Sequence, residues 1–320
     1  MLAATAQFAN PWRYQAHPEV WLLVASLVGL YVYVIRVVGP KAVTDGGVIA
    51  TRRNIGCFTA GILMLWLASD WPVHDIGEGY LYSVHMFQHM VLSYFMPPLM
   101  LLATPTWFLR ILVGKGHAYR VLKFMAKPVV AGVVFNGMVM ITHVPGVVNT
   151  SVNIAWLHYL LHSLIVLAAL IMWMPVCGPF RELRIGYGAQ MIYLFLQSVV
   201  PTVPAGWLTF AEGVVYKHYD IPVRVWGLSA THDQQLAGVI MKIGGGFFLW
   251  TIVIVLFFRR FSFRFSQDND GTYRRSTADS ELPVAGSSSL APPTAGDTPL
   301  TYEQVFRVFE TVPPAPEPEP

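Results

Sequence analysis

Apolar residues in this chain come in long runs rather than in the alternation of a half-buried strand. Seven runs stand out, at roughly 18–38, 53–71, 80–103, 128–144, 151–175, 187–208 and 231–258. Each approaches the ~20 residues needed to cross a bilayer as a helix. The pattern predicts an all-α fold: a polytopic membrane helical bundle with seven transmembrane helices. The segment 105–113, PTWFLRILV, is too short to cross and is expected at the interface. Pro97–Pro98 and the pair Pro201 and Pro204 are expected to break or kink the third and sixth spans, either opening a cavity or only shaping the bundle.

The polar positions between the runs orient the bundle. The first connection carries Arg36, Lys41, Arg52 and Arg53, the third Arg110, Lys115, Arg120, Lys123 and Lys127, and the fifth Arg181 and Arg184. The second has acids instead, Asp70, Asp75 and Glu78; the fourth has no base, and the sixth has only Lys217 and Arg224. Arg259, Arg260 and Arg264 follow the last run. Basic loops stay on the cytoplasmic side. The N-terminus is therefore expected outside and the C-terminus in the cytoplasm.

Composition agrees with a membrane domain: 54% of residues are hydrophobic and 12% charged, half the charged share of an average soluble domain, about 25%. A net charge of +3 with scattered bases gives no reason to expect nucleic acid as a partner. Cys57 and Cys177 form no CxxC, so neither a thiolate metal site nor a disulfide framework is expected. The first residues lack the basic and apolar regions of a cleaved signal. Residues 1–265 are read as the seven-span domain and 266–320 as a disordered, Pro-rich cytoplasmic tail, in which Tyr302, Val305, Phe306 and Phe309 keep a helical spacing.

The candidate chemistry lies in the histidines. Of ten, only His117 falls on the predicted cytoplasmic side. His85 and His89 lie ~8 and ~14 Å below the start of the third span, and His158 and His162 lie ~10 and ~16 Å below the start of the fifth. Residues four apart share one helix face, so two helices offer a histidine pair at matching depth. His143 closes the fourth span; His232 and Asp233 open the seventh, with Met241 on much the same face, ~15 Å deep. Ionisable side chains are costly inside a membrane and are tolerated where they bind something or hydrogen-bond one another. Two readings follow: a metal or cofactor site built from these residues, or polar glue between helices. Met86, Met90, Met96, Met100, Met138 and Met140 are soft copper ligands by chemistry and core fillers by habit. Lys242 is expected to face a wet cavity or to pair with an acid.

Three stretches, SVHMFQHMVLSYFMPPLMLLATP, HYLLHSLIVLAALIMWMPV and YDIPVRVWGLSATHDQQLAGVIMKIGGG, resemble the CtaG family of cytochrome c oxidase assembly factors over about residues 55–258. This is the polytopic bacterial family, distinct from the single-span copper chaperone that shares its name. The resemblance implies seven spans, a bacterial plasma (inner) membrane location and a role in maturing haem–copper oxidase through copper. His85, His89, His158, His162, His232 and Asp233 fall on the family's polar motif positions, and Lys242 departs from it.

The leading expectation is thus a binding and delivery protein rather than an enzyme. Copper would come from a donor at the outer surface, be held by imidazole with thioether help, and pass to cytochrome c oxidase subunits. The metal residues are His85, His89, His158, His162, His232, Asp233, His143 and Met241. The alternatives are a b-type haem clamped between two helices and, ranked lower, an intramembrane zinc or iron enzyme. The latter has only Asp233 as an obvious general base and no HExxH.

Overall fold

A computed structural model describes residues 10–44 and 46–280, with side chains as far as residue 262. Among these residues every regular element is helical. Five helices are long and apolar enough to cross a membrane: α1 (Pro18–Ala42), α4 (Tyr82–Ala103), α9 (Ala155–Cys177), α10 (Tyr187–Thr209) and α11 (Ala230–Ser262). Two bent pairs pass the same test together. One is α2 (Arg52–Ser69) with α3 (Val73–Gly79), bent by 42°; the other is α6 (His117–Met125) with α7 (Pro128–Thr142), bent by 74°. The membrane domain therefore has five to seven spans. Short helices α5 (Thr106–Val113) and α8 (Pro145–Ser151) fill two connections. No residue of α5 is buried, which fits a segment lying flat beside the bundle.

Local chemistry sets the helix starts. Pro18, Pro128 and Pro145 each occupy a first-turn position, where the missing N–H has no intrahelical partner anyway. Thr51 and Asn54 form a reciprocal capping box on α2, with the Thr51 hydroxyl accepting from the Asn54 N–H at 3.1 Å and the Asn54 side-chain Oδ1 accepting from the Thr51 N–H at 2.9 Å. The double proline in α4 does not break it. A wide π turn, Val91–Phe95, comes just before Met96 and accommodates the prolines, so the helix continues to Ala103. In α10 the interruption at Val200–Pro201 is a single turn, and the helix resumes at Thr202.

The core is built from Tyr82, Phe135, Met172, Trp173, Leu194 and Leu208, contributed by four helices. Gly238 of α11 meets α10 so closely that a Cβ there would stand 2.6 Å from the Ala205 carbonyl oxygen. Asn136 donates to Gln197 at 2.7 Å, which joins α7 to α10 by a polar contact with no rival in lipid. A second apolar cluster, Ile76, Leu81, Ile221 and Val225, fastens α3 to the segment between α10 and α11.

Contacts divide the chain into residues 1–265 and 266–320. The last helix runs over Gly245–Ser280, so the first part of the expected tail is helical in its backbone. The reading of Tyr302, Val305, Phe306 and Phe309 as one helix face lies outside the described residues.

Candidate metal centre

α4 packs against α9, and their histidine pairs meet. Within α4 the Nε2 atoms of His85 and His89 stand 2.9 Å apart. Across the two helices, ring centroids lie 4.6 Å apart for His89 and His162, 5.5 Å for His85 and His162, and 5.9 Å for His85 and His158. One donor atom from each of His85, His89 and His162 falls within 4.8 Å of the other two. A second group of the same compactness joins His158 and His162 to Glu78.

Glu78 is the member that sequence reasoning missed. Its Oε1 lies 2.7 Å from His158 Nε2, 3.2 Å from His85 Nδ1 and 3.8 Å from His162 Nε2. α3 brings it there by folding back onto α4. Gly77 makes that approach feasible, since a Cβ there would meet the His85 backbone nitrogen at 3.1 Å. Tyr219 then donates to the Gly77 carbonyl at 3.1 Å, and His218 Nε2 to the Glu78 carbonyl at 3.0 Å. The signal was present: His74 and Glu78 are four apart in HDIGE, a third pair on one helix face.

His85 Nδ1 and His162 Nε2 are buried without a hydrogen-bond partner among the described residues. The Glu78 carboxylate is close to both but aligned with neither. Purely polar glue would leave these two atoms unmet, at a cost of about 1–3 kcal/mol each. A shared cation would engage ring lone pairs directly. The carboxylate hydrogen-bonded to His158 is the arrangement that orients a metal-binding imidazole and raises its basicity. The residues present therefore fit a metal bound by imidazoles.

The other expected members do not join this group. His232 is exposed, and its Nδ1 sits 3.0 Å from the Ser229 hydroxyl. Its neighbour Asp233 points the opposite way and is only 2% exposed. It accepts from the Tyr82 N–H at 2.7 Å, from the Ser83 N–H at 3.1 Å and from the Ser83 hydroxyl. Asp233 thus caps the N-terminus of α4 from another helix, and holds in place the turn just above His85. Gln234 clamps the chain at Val215 and Tyr216, accepting from both N–H groups at 2.8 and 3.2 Å. That clamp supports the segment carrying His218 and Tyr219. His143 directs Nδ1 to the Val139 carbonyl at 2.7 Å, and its buried Nε2 has no partner among the described residues. Met241 packs in the main core, as do Met86 and Met90. Lys242 is exposed beside a small cavity that it lines with Gln197 and Ser198; it donates to the Thr202 hydroxyl and, at 3.5 Å, to the Ser198 carbonyl, and no acid pairs with it among the described residues.

At the rim, before α1, His17 bridges Glu19 at 3.1 Å and Asp75 at 3.0 Å. Partial burial disfavours its charge, but the two carboxylates outweigh this and raise its pKa above the ordinary histidine value. The Trp21 indole donates to Asp70 at 2.8 Å, which adds a second tie between α1 and the end of α2.

An all-helical membrane bundle with a histidine–carboxylate cluster enclosed near one end defines a class of polytopic membrane protein with a polar site between its spans. Residues 11–262 match the family described as Cytochrome c oxidase caa3 assembly factor (Caa3_CtaG), and the chain belongs to that family. A protein of Mycobacterium leprae (strain TN), named Uncharacterized protein ML1998, is 26% identical over 222 residues. That similarity covers 61% of this chain and 33% of the relative, so the chain spans about a third of the length of the curated relative it matches. No solved structure matches the chain.

Proposed function

We propose that this assembly factor binds copper(I) and hands it to cytochrome c oxidase, acting as a delivery protein and not as an enzyme. The observation that carries the reading is the convergence of His85, His89 and His162 with Glu78 beside them. Imidazole suits copper, and the charge balance favours its monovalent form. One carboxylate offsets one positive charge, so a bound cuprous ion makes the cluster neutral. A divalent ion would leave an uncompensated charge, which a low-dielectric interior disfavours. His158 carries the hydrogen bond to Glu78 and so orients the carboxylate. The residues engaged are side chains of two helices and one short α3, and the ring cluster lies against a cavity reached from between helices, which suits exchange.

Copper analysis and X-ray absorption of the full chain, purified in nanodiscs after copper loading, test this directly. The expected result is one cuprous ion per chain with imidazole nitrogen ligands. Glu78→Gln removes the charge and keeps the shape; copper retention should fall roughly tenfold or more, the scale of supporting-group losses at metal sites. Absence of copper after loading would sink the reading. One observation favours a second reading. Glu78 supplies the positioned carboxylate that an intramembrane zinc or iron hydrolase needs. Retention of zinc or iron in preference to copper would select it. The rings of His89 and His162 are in contact at 4.6 Å, so a haem macrocycle does not fit between them without spreading α4 and α9.

The membrane is proposed to be the bacterial plasma membrane, crossed seven times with both bent pairs as spans. The N-terminus and the cluster would then face outside, where a copper donor can reach them. Tags at the N-terminus and within 209–230 should be accessible on intact spheroplasts, and a tag after Ser266 should not. A cytoplasmic N-terminus would reverse this topology.

A further inference from the structure

A cavity of about 630 Å³ lies between α1, α2, α4 and α9. That is within the range of about 300–1,000 Å³ that accommodates a small organic molecule. The cavity is elongated along the helices: on α4 its wall runs from Gln88 to Met100, a distance of ~18 Å at the helical rise. His74, Gln88, His158 and His162 line one end. Leu27, Leu65, Leu92, Met96 and Leu170 line the remainder.

The polar end asks for a specific partner. Gln88 is 2% exposed, and its side-chain nitrogen donates to His74 Nδ1 at 3.3 Å. Its Oε1 is buried with no hydrogen-bond partner among the described residues. An acceptor oxygen left this way calls for a donor such as a hydroxyl.

We propose that the cavity binds an uncharged, ring-headed amphiphile of the membrane-quinol class. A ring hydroxyl donates to Gln88 Oε1, and the apolar tail lies along Met96 and Met100. Three features select this chemistry over a phospholipid. Among the described residues no lysine or arginine lines the cavity to meet a phosphate, and Glu19 on its wall would repel one. Gln88 lies six residues into α4, ~9 Å below the helix start, which is too deep for a charged head group in a bilayer. The apolar wall continues along α4 from Leu92 to Met100, as a hydrocarbon tail requires. His158 and His162 belong both to the ring cluster and to the cavity wall, so an occupant closes the lateral approach to them. The proposal holds whether or not the cluster carries metal.

The test uses the full chain in phosphatidylcholine nanodiscs, anaerobic, reduced, and without added metal. The probe is 2,3-dimethoxy-5-methyl-6-decylhydroquinone. Saturable binding at one site per chain is expected. The probe's dimethyl ether, which cannot donate, should bind about tenfold more weakly, the scale of one lost hydrogen bond to a buried acceptor. Leu27→Trp and Leu170→Trp fill the tail end from two different helices and should weaken binding by a similar factor while the thermal midpoint stays unchanged. Using both guards against one of them failing to fold. Non-saturable partitioning, equal affinity for the ether, or stoichiometric displacement by phosphatidylglycerol would each overturn the proposal.

Discussion

On the proposed copper reading, a chain carrying His85→Asn and His89→Asn together is expected to accumulate in the membrane, keep its helical content and lose copper, and oxidase maturation is expected to fail. Asparagine is chosen because it retains a polar group and leaves a smaller void than alanine would, so the fold is not the variable. The pair supplies two of the three donor atoms that lie within 4.8 Å of one another. With both gone, His162 alone cannot hold the ion against exchange, and affinity should drop by ~100-fold or more. Oxidase activity should fall to the level of cells lacking the protein, with partial recovery in copper-rich medium. If the rings were only glue, asparagine would replace much of their hydrogen bonding. Normal copper content together with normal oxidase activity in this double variant would end the metal reading.

Asp233→Ala should be the most damaging single change to the fold. The carboxylate is buried and accepts three hydrogen bonds from the first turn of α4. Hydrogen bonds to a charged group contribute about 1.5–3 kcal/mol each, though not additively, so the loss is estimated at about 3–5 kcal/mol. The effect reaches the site because Ser83 is two residues from His85. Melting in detergent should therefore shift downward by several degrees, and copper retention should weaken with it. Asp233→Asn keeps one accepting oxygen and should fall about midway. His232→Asn serves as the comparison: that ring is exposed and, among the described residues, hydrogen-bonds to Ser229, so neither stability nor copper should change. An Asp233→Ala chain with unaltered melting would refute the capping role.

The contrast between these adjacent residues shows where sequence reading stops. Successive residues on a helix point ~100° apart, so being neighbours in sequence argues against a shared site rather than for one. His232 faces out while Asp233 faces in. The helical membrane runs were legible because long apolar runs are a local signal, though their count stands at five to seven. The two histidine pairs were legible because four-residue spacing fixes a face. Glu78 was not, because it was counted as a loop charge when orientation was being inferred. Only the backward fold of α3, permitted by Gly77, turns that charge toward the rings. For Lys242 the sequence offered a cavity or an acid but not the hydroxyl and carbonyl on α10 to which its ammonium group donates.

The wide turn at Val91–Phe95 has a bearing on helix phase. Gln88, Leu92, Met96 and Met100 advance by fours. In an uninterrupted α-helix each such step drifts by ~40°, and Met100 would end ~120° around from Gln88. A turn closed by i→i+5 bonds takes in an extra residue, which winds back roughly one residue's worth of that drift. All four side chains consequently line the same wall. The turn acts as a phase corrector, letting one helix present a continuous face with a polar amide at one end and thioethers at the other.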